Sequence, residues 1–324
     1  MRFGVLGTAN IARNVVIPAI RAAGHDVVAI ASRDDDRADA VAEALDIPTA
    51  FGGYGTLLAD ADIDAVYNPL PNSLHAKWTK RAADHGLDVL CEKPLTVDAA
   101  QARDVVDHCE AAGITLMEAF MWRYHPRTRR VSELLSAIGT VRNVRATFQF
   151  PLSDPDDIRL NPDLGGGSLM DVGCYAMNAA RLFLGDPDRV YAHRSDHRDA
   201  GVDTKLVAIL EYPDGATAEI SGAFETDWCQ QYRIEGTDGW IFVPDAFNPQ
   251  SDPVELTYEI DGRRGTETWA GVNQYAREIE AFAAATPDDP PETDGAAAIK
   301  NMELIDALYE SAAAGSPVTL AGKT

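Results

Sequence analysis

Two short stretches carry residue types able to move a proton. Glu92-Lys93-Pro94 sets a cation directly after the apolar run 88–91, and Asp171 and Tyr175 place a carboxylate and a phenol four residues apart. On a helix that spacing points both side chains from one face. A phenol has an ordinary pKa of ~10, so about 0.1% is ionised at neutral pH; a lysine cation within ~4–6 Å lowers that pKa by ~1–3 units. The chemistry open to such a set is removal of a proton from a hydroxyl, exchanged through Tyr175 or Lys93 while Asp171 orients the groups. A solvated Glu-Lys pair, or an Asp at a helix N-terminus beside a packed Tyr, would use the same residues.

The elements that must position them alternate strand and helix in the first half. Pro94 cannot continue a hydrogen-bonded ladder, so Glu92 and Lys93 are expected at the carboxyl edge of a buried strand, where open α/β sheets bind ligands. A strand over 2–6 leads into Gly7-Thr8-Ala9-Asn10-Ile11-Ala12 and a helix over 11–23. The turn resembles the dinucleotide fingerprint, with Gly7 for the tight turn and Ala12 for close helix packing, and with Ala9 where the second glycine usually stands. The second strand, 25–31, ends in Ser32-Arg33-Asp34, with Arg37 one turn further on. Guanidinium forks match phosphate, so Ser32, Arg33 and Arg37 favour NADP over NAD. The break Asn68-Pro69-Leu70-Pro71-Asn72 falls at the same sheet edge, and Pro69, Leu70, Asn72 and His75 are candidates to border the nicotinamide. A doubly wound parallel sheet filling residues 1–120 is expected.

Residues 121–324 read as a second domain. Trp122 and Arg123 lie in an aromatic connector, and aromatic faces suit the apolar face of a sugar or ring. Phe150 ends a strand begun at 141, and Arg159 lies in the polar loop 151–161; with Trp122 and Arg123 they are candidate substrate contacts. Gly165-Gly166-Gly167 lets the backbone pass close to something before one helix carries Asp171 and Tyr175 to about 184. Seven strands between 190 and 269, turning at Asp214-Gly215, Asp238-Gly239 and Asp261-Gly262, predict a broad, mainly antiparallel sheet. Helices over 274–285 and 296–314 follow. With helices on one face, the open face is expected to pair subunits into a homodimer or homotetramer.

Composition narrows the partners. Of 324 residues 46% are hydrophobic, which excludes disorder, and no apolar run approaches the ~18 residues that span a bilayer. The strand at 2–6 leaves no room for a signal peptide, so a cytoplasmic protein is expected. Net charge is -23, with 34 Asp, 22 Arg and 6 Lys, which disfavours nucleic acid and anionic membrane as partners. Abundant Asp with scarce Lys suits solubility in concentrated salt, where the Debye length falls to ~3 Å. Cys91, Cys109, Cys174 and Cys229 form no CxxC pair, and His193 and His197 lack an adjoining Glu, so no metal site is expected.

The Gly7–Ala12 turn, Asn72 and His75 after a Pro break, Glu92-Lys93-Pro94, and three glycines before Asp171 and Tyr175 together resemble the glucose-fructose oxidoreductase and inositol dehydrogenase family. Ala31-Ser32-Arg33-Asp34, Met117-Glu118-Ala119-Phe120 and Asp171-Val172-Gly173-Cys174-Tyr175 look most like its NADP-dependent D-xylose dehydrogenase and dihydrodiol dehydrogenase branch. The resemblance implies a Rossmann domain followed by an α/β domain with an open antiparallel sheet. It further implies an NADP-dependent aldose 1-dehydrogenase such as a D-xylose 1-dehydrogenase, acting on a sugar or diol. Dihydrodiol dehydrogenase or 1,5-anhydrofructose reductase activity is the alternative, and an NADP-binding regulator is the reading outside catalysis.

Overall fold

The structure is a computed structural model and describes residues 1–249 and 252–320. The chain divides into two compact units, residues 1–124 with 273–302, and residues 125–272 with the chain from 303 on.

In the first unit the strands β1 (Arg2–Leu6), β2 (Asp26–Ala31), β3 (Thr49–Phe51), β4 (Ala65–Asn68), β5 (Asp88–Glu92) and β6 (Leu116–Ala119) pair in parallel in the order β3-β2-β1-β4-β5-β6. Their short apolar runs are buried on both faces, as crossover helices require. One face packs Leu57, Val66, Val89, Val105 and Cys109 with α3 (Tyr54–Asp60), α4 (Asn72–Asp84) and α5 (Ala99–Ala112); the other packs Phe3, Val5, Ile17 and Ile20 with α1 (Ile17–Ala22). Strand order reverses between β1 and β4, so the loops after Leu6 and Asn68 emerge side by side at the carboxyl edge. Asp34 caps α2 (Asp35–Ala44), Asp98 caps α5, and Gly113 ends α5 with φ +68°.

A single crossing near residue 120 was expected, whereas 273–302 return to the first unit. The cause is on α8 (Gln274–Ala284): Ile279 and Phe282, three apart on one helical face, are 0% and 1% exposed, and the Phe282 ring packs tilted against Phe3 with centroids 5.9 Å apart.

The second unit is built on a nine-stranded sheet in the order β14-β13-β12-β11-β7-β10-β9-β8-β15. Its strands are β7 (Val141–Gln149), β8 (Arg189–Ser195), β9 (Lys205–Glu211), β10 (Thr217–Ala223), β11 (Cys229–Gly236), β12 (Gly239–Pro244), β13 (Val254–Ile260), β14 (Arg263–Trp269) and β15 (Val318–Thr319). All neighbours run antiparallel except β7 and β10, which are parallel. The edge strand β15 is only two residues long, too short to leave a pattern in the sequence. Alternation sends Leu206, Ala208 and Leu210 inward and Val207 and Ile209 outward. Helix α7 (Cys174–Leu184) covers the inner face, ending at Gly185 with φ +80°. A Cβ on Gly222 would stand 2.8 Å from Gly173 Cα, so the helix start rests directly on the β10 backbone. On the outer face Tyr191, Val207 and Ile209 are 43%, 38% and 45% exposed.

Candidate active site

The turn after β1 is shaped for an anion. Gly7 has φ +100° and donates its amide to Ala31 O at 2.8 Å, and a Cβ there would meet Leu70 Cδ2 at 3.0 Å. The first helical bond runs from the Arg13 amide to Ala9 O at 3.1 Å, so the backbone N–H groups ahead of Arg13 form the open, positive helix end. Thr8 is buried, Ala9 and Ile11 are half-buried and Asn10 is exposed. At the tip of β2, Ser32 is buried while Arg33 and Arg37 face solvent. The acidic residue there is already engaged: Asp34 Oδ1 accepts the Arg37 amide at 3.1 Å as the cap of α2.

Behind the sheet edge, the loops after β4 and β5 are stitched together. Asn68 Nδ2 donates to Thr79 Oγ1 at 3.2 Å, and its Oδ1 accepts the Leu70 amide at 3.4 Å. His75, expected beside the nicotinamide, is fully buried: Nδ1 lies 2.9 Å from Pro94 O and Nε2 2.6 Å from Leu70 O. Burial lowers its pKa to about 4, and a neutral imidazole has one N–H, so only one of these carbonyls receives a full hydrogen bond. It joins the two loops from inside. Pro69 and Leu70 are buried, while Asn72, Glu92 and Lys93 are half-buried. Glu118 was not assigned a role from sequence; it is 1% exposed, and its two oxygens accept the Leu95 amide and Asn301 Nδ2, each at 2.8 Å. A carboxylate inside the otherwise apolar β6 was the available signal.

In the second unit the predicted single α-helix begins differently. Residues Leu169–Gly173 form a π turn ahead of α7, so Asp171 lies in the wide turn and Tyr175 is the second residue of the α-helix. Arg159 Nε donates to Asp171 Oδ2 at 2.7 Å, and its Nη1 to Asp157 Oδ1 at 3.2 Å; Asp171 holds the guanidinium above its ordinary range. The glycine run is explained by the same loop. The Gly167 amide donates to Arg159 O at 2.9 Å, and a Cβ on Gly166 would sit 2.4 Å from that oxygen. Gly165 and Gly167 have φ +75° and +126°. Behind them, buried Asp203 accepts Ser168 Oγ at 2.6 Å, the Leu169 amide at 2.8 Å and Tyr309 OH at 2.7 Å, the last from α9 (Gly295–Ala314).

An aromatic wall surrounds Tyr175. Its ring, 6% exposed, lies 5.4 Å from Phe148 and 5.6 Å from Phe247. Phe150 packs 5.4 Å from Phe224 and 6.1 Å from Trp228, which is 40% exposed. Trp228 and Phe247 precede or follow strands in stretches without periodicity, so nothing in the sequence marks them. Phe247 is fixed by its amide bond to Gln230 Oε1 at 3.2 Å, while Arg127, 1% exposed, donates to the carbonyls of Pro244, Asp245, Ala246 and Glu255. Trp122, expected to meet substrate, is 0% exposed; Arg123 pairs with Glu292 at 3.3 Å. Lys93 belongs to the first unit, and Asp171 and Tyr175 to the second.

Known proteins resemble both parts of the chain. Residues 1–120 match a family described as an oxidoreductase family with an NAD-binding Rossmann fold, and residues 128–242 match the GFO/IDH/MocA C-terminal domain. The chain belongs to the GFO/IDH/MocA oxidoreductase family. One member of that family, D-xylose 1-dehydrogenase (NADP(+)) 2 of Haloferax volcanii, is 55% identical over 99% of this chain and 100% of its own. The trans-1,2-dihydrobenzene-1,2-diol dehydrogenase of Xenopus laevis is 34% identical over 75% of each chain. A 3-ketoreductase from Actinomadura kijaniata, solved with NADP and TDP-benzene, superposes with a TM-score of 0.90 at 35% identity, covering 96% of this chain and 97% of its own. Among the described residues no helix is long and apolar enough to cross a membrane, and no three His, Cys, Asp or Glu side chains are grouped to hold a metal ion.

Proposed function

We propose that this protein is an NADP-dependent aldose 1-dehydrogenase, with D-xylose the first substrate to test. The observation that carries this reading is the end-to-end 55% identity to a D-xylose 1-dehydrogenase (NADP(+)). The residues fit the cofactor. The open helix end after Gly7 would hold the pyrophosphate, and Ser32, Arg33 and Arg37 the 2'-phosphate, while Asp34 is engaged as the cap of α2. Pro69, Leu70, Asn72 and Glu92 would border the nicotinamide, with His75 supporting them from behind.

NADP, when bound, accepts the hydride from the carbon that bears the reacting hydroxyl. Tyr175 takes the proton of that hydroxyl. Lys93 is the cation assigned to the substrate oxygen. Asp171, already paired with Arg159, is a fixed acceptor that orients the substrate rather than a free base. Phe150 and Trp228 offer aromatic faces to the sugar's C–H surface. The dihydrodiol reading keeps some support from the 34% identical relative and this aromatic wall.

We further assign the protein to the cytoplasm and to a homodimer or homotetramer paired through the outer sheet face around Tyr191, Val207 and Ile209. The Asp-rich surface is an adaptation to high salt. The test is cofactor reduction with NADP and NAD over a panel of pentoses, hexoses and diols at low and molar salt. Reduction of NADP by D-xylose is expected. Activity confined to diols would transfer the assignment to the dihydrodiol class, and no turnover at all, with NADP still bound, would favour a regulator. Lys93→Met is expected to abolish turnover while NADP binding persists.

A further inference from the structure

The first unit contains a pair of carboxyl groups that the proposed reaction does not use. Glu92 ends β5 one residue before Lys93, and its Oε1 accepts the Tyr67 hydroxyl at 2.8 Å. Glu278 projects from α8 into the interior, is 2% exposed, and its Oε1 has no hydrogen-bond partner among the described residues. Tyr67 from β4, Tyr275 from α8 and Tyr124 after β6 are the other titratable groups within electrostatic reach of Glu278.

An ionised carboxylate shut away from water needs partners at both oxygens, whereas a bare oxygen is tolerable on a neutral acid. Two carboxylates in one low-dielectric interior repel, and such a pair retains a proton between them. The direction is consistent on each side. Burial first, and the charge of Glu92 second, push the Glu278 carboxyl well above the usual carboxylate range. The same two influences raise the Tyr67 hydroxyl, so it remains a donor to Glu92 at neutral pH.

We propose that Glu278 is a positioning residue that carries the pair's proton at neutral pH, so that Glu92 and Glu278 together present one negative charge, held by Tyr67, next to Lys93. The positioning role rests on the assignment of Lys93 to the reaction; the location of the proton does not. Loss of that proton at high pH places a second negative charge in the interior beside Glu92, which favours the Lys93 cation and so moves the pH at which that cation is lost. The alkaline limb of the rate profile therefore contains a step that belongs to Glu278.

The experiment has a spectroscopic arm and a kinetic arm, both on the full chain with NADP present. Infrared difference spectra of the wild type against Glu278→Gln should contain the C=O stretch of a protonated carboxylic acid at neutral pH; its absence overturns the proposal. Glu278→Gln, the neutral isostere, should keep kcat within about twofold at neutral pH and lose the alkaline step, while Glu278→Ala should lower kcat about tenfold through misplacement of the neighbouring groups. Superimposable pH profiles for wild type and Glu278→Gln would overturn the positioning role. Full turnover in Lys93→Met would overturn both that role and the Lys93 assignment, while the infrared band would still report the shared proton, so the failures are told apart.

Discussion

Replacing Asp203 with alanine tests whether the first turns of the Tyr175 helix are held from behind. The carboxylate is 2% exposed and accepts Ser168 Oγ at 2.6 Å, the Leu169 amide at 2.8 Å and Tyr309 OH at 2.7 Å. Ser168 Oγ keeps a second partner, Gly222 O, at 3.2 Å, so alanine strands chiefly the Leu169 amide and the Tyr309 hydroxyl. Each stranded buried donor costs ~1–3 kcal/mol, partly offset because no carboxyl group then needs desolvating, and a net loss of ~3 kcal/mol is expected. For a unit of this size that lowers Tm by about 6–12 °C. Calorimetry beside steady-state kinetics reads both consequences, since a displacement of about 1 Å at the reacting groups costs ~100-fold in kcat. Asp203→Asn keeps an oxygen for Ser168 and Leu169 and turns its amide to the Tyr309 oxygen, so its stability should stay within ~1 kcal/mol of the parent. Burial raises the Asp203 carboxyl above its ordinary 3.8. The stability this carboxyl contributes is therefore complete below that pH and declines as pH rises through the raised value, and Asp203→Asn should gain on the parent across that window. An alanine variant that melts with the parent and turns over at its rate would refute the reasoning.

Tyr175→Phe should lower kcat by ~10²–10⁴ with little change in Tm, because the ring contacts with Phe148 and Phe247 survive; stopped-flow reduction of NADP with matched calorimetry checks both. Arg33→Ala with Arg37→Ala should raise KM for NADP at least ~10-fold and leave KM for NAD unchanged, each lost charge-assisted bond being worth ~1.5–3 kcal/mol. Chemical denaturation in urea should show stability rising between low salt and ~1 M, where self-repulsion among the 51 acidic side chains is screened. Ile209→Lys, on the outer sheet face, should lower the oligomeric state in sedimentation velocity without lowering monomer Tm.

Much of the frame was legible because it depends on local rules. Apolar runs of strand length and glycines at Gly7, Gly113 and Gly185 mark elements that the structure contains, and the Asp261-Gly262 hairpin turn has φ of +50° and +73° at its centre. The glycine run before Asp171 implied a close backbone approach but could not name the partner, Arg159 O, because contact across loops leaves no periodicity. Trp122 illustrates the converse: an aromatic connector reads the same whether its rings face a ligand or a core, and here the ring is buried. Asp203, Glu118 and Glu278 were invisible as a group, since each is a single acid in a chain full of them. Only burial separates them from the solvated majority. The π turn was also hidden, because one extra residue in a turn does not alter an apolar pattern enough to be counted.

Where Gly173 meets Gly222, no side chain lies between helix and sheet to act as an adjustable spacer. The level at which Tyr175 is presented is therefore fixed, and under the proposed function a change of preferred hydroxyl compound would come from the side chains around it: Phe150, the Arg159 loop, Trp228 and Phe247. A redesign that varies those positions while leaving 168–175 untouched should keep its chemistry as its selectivity shifts.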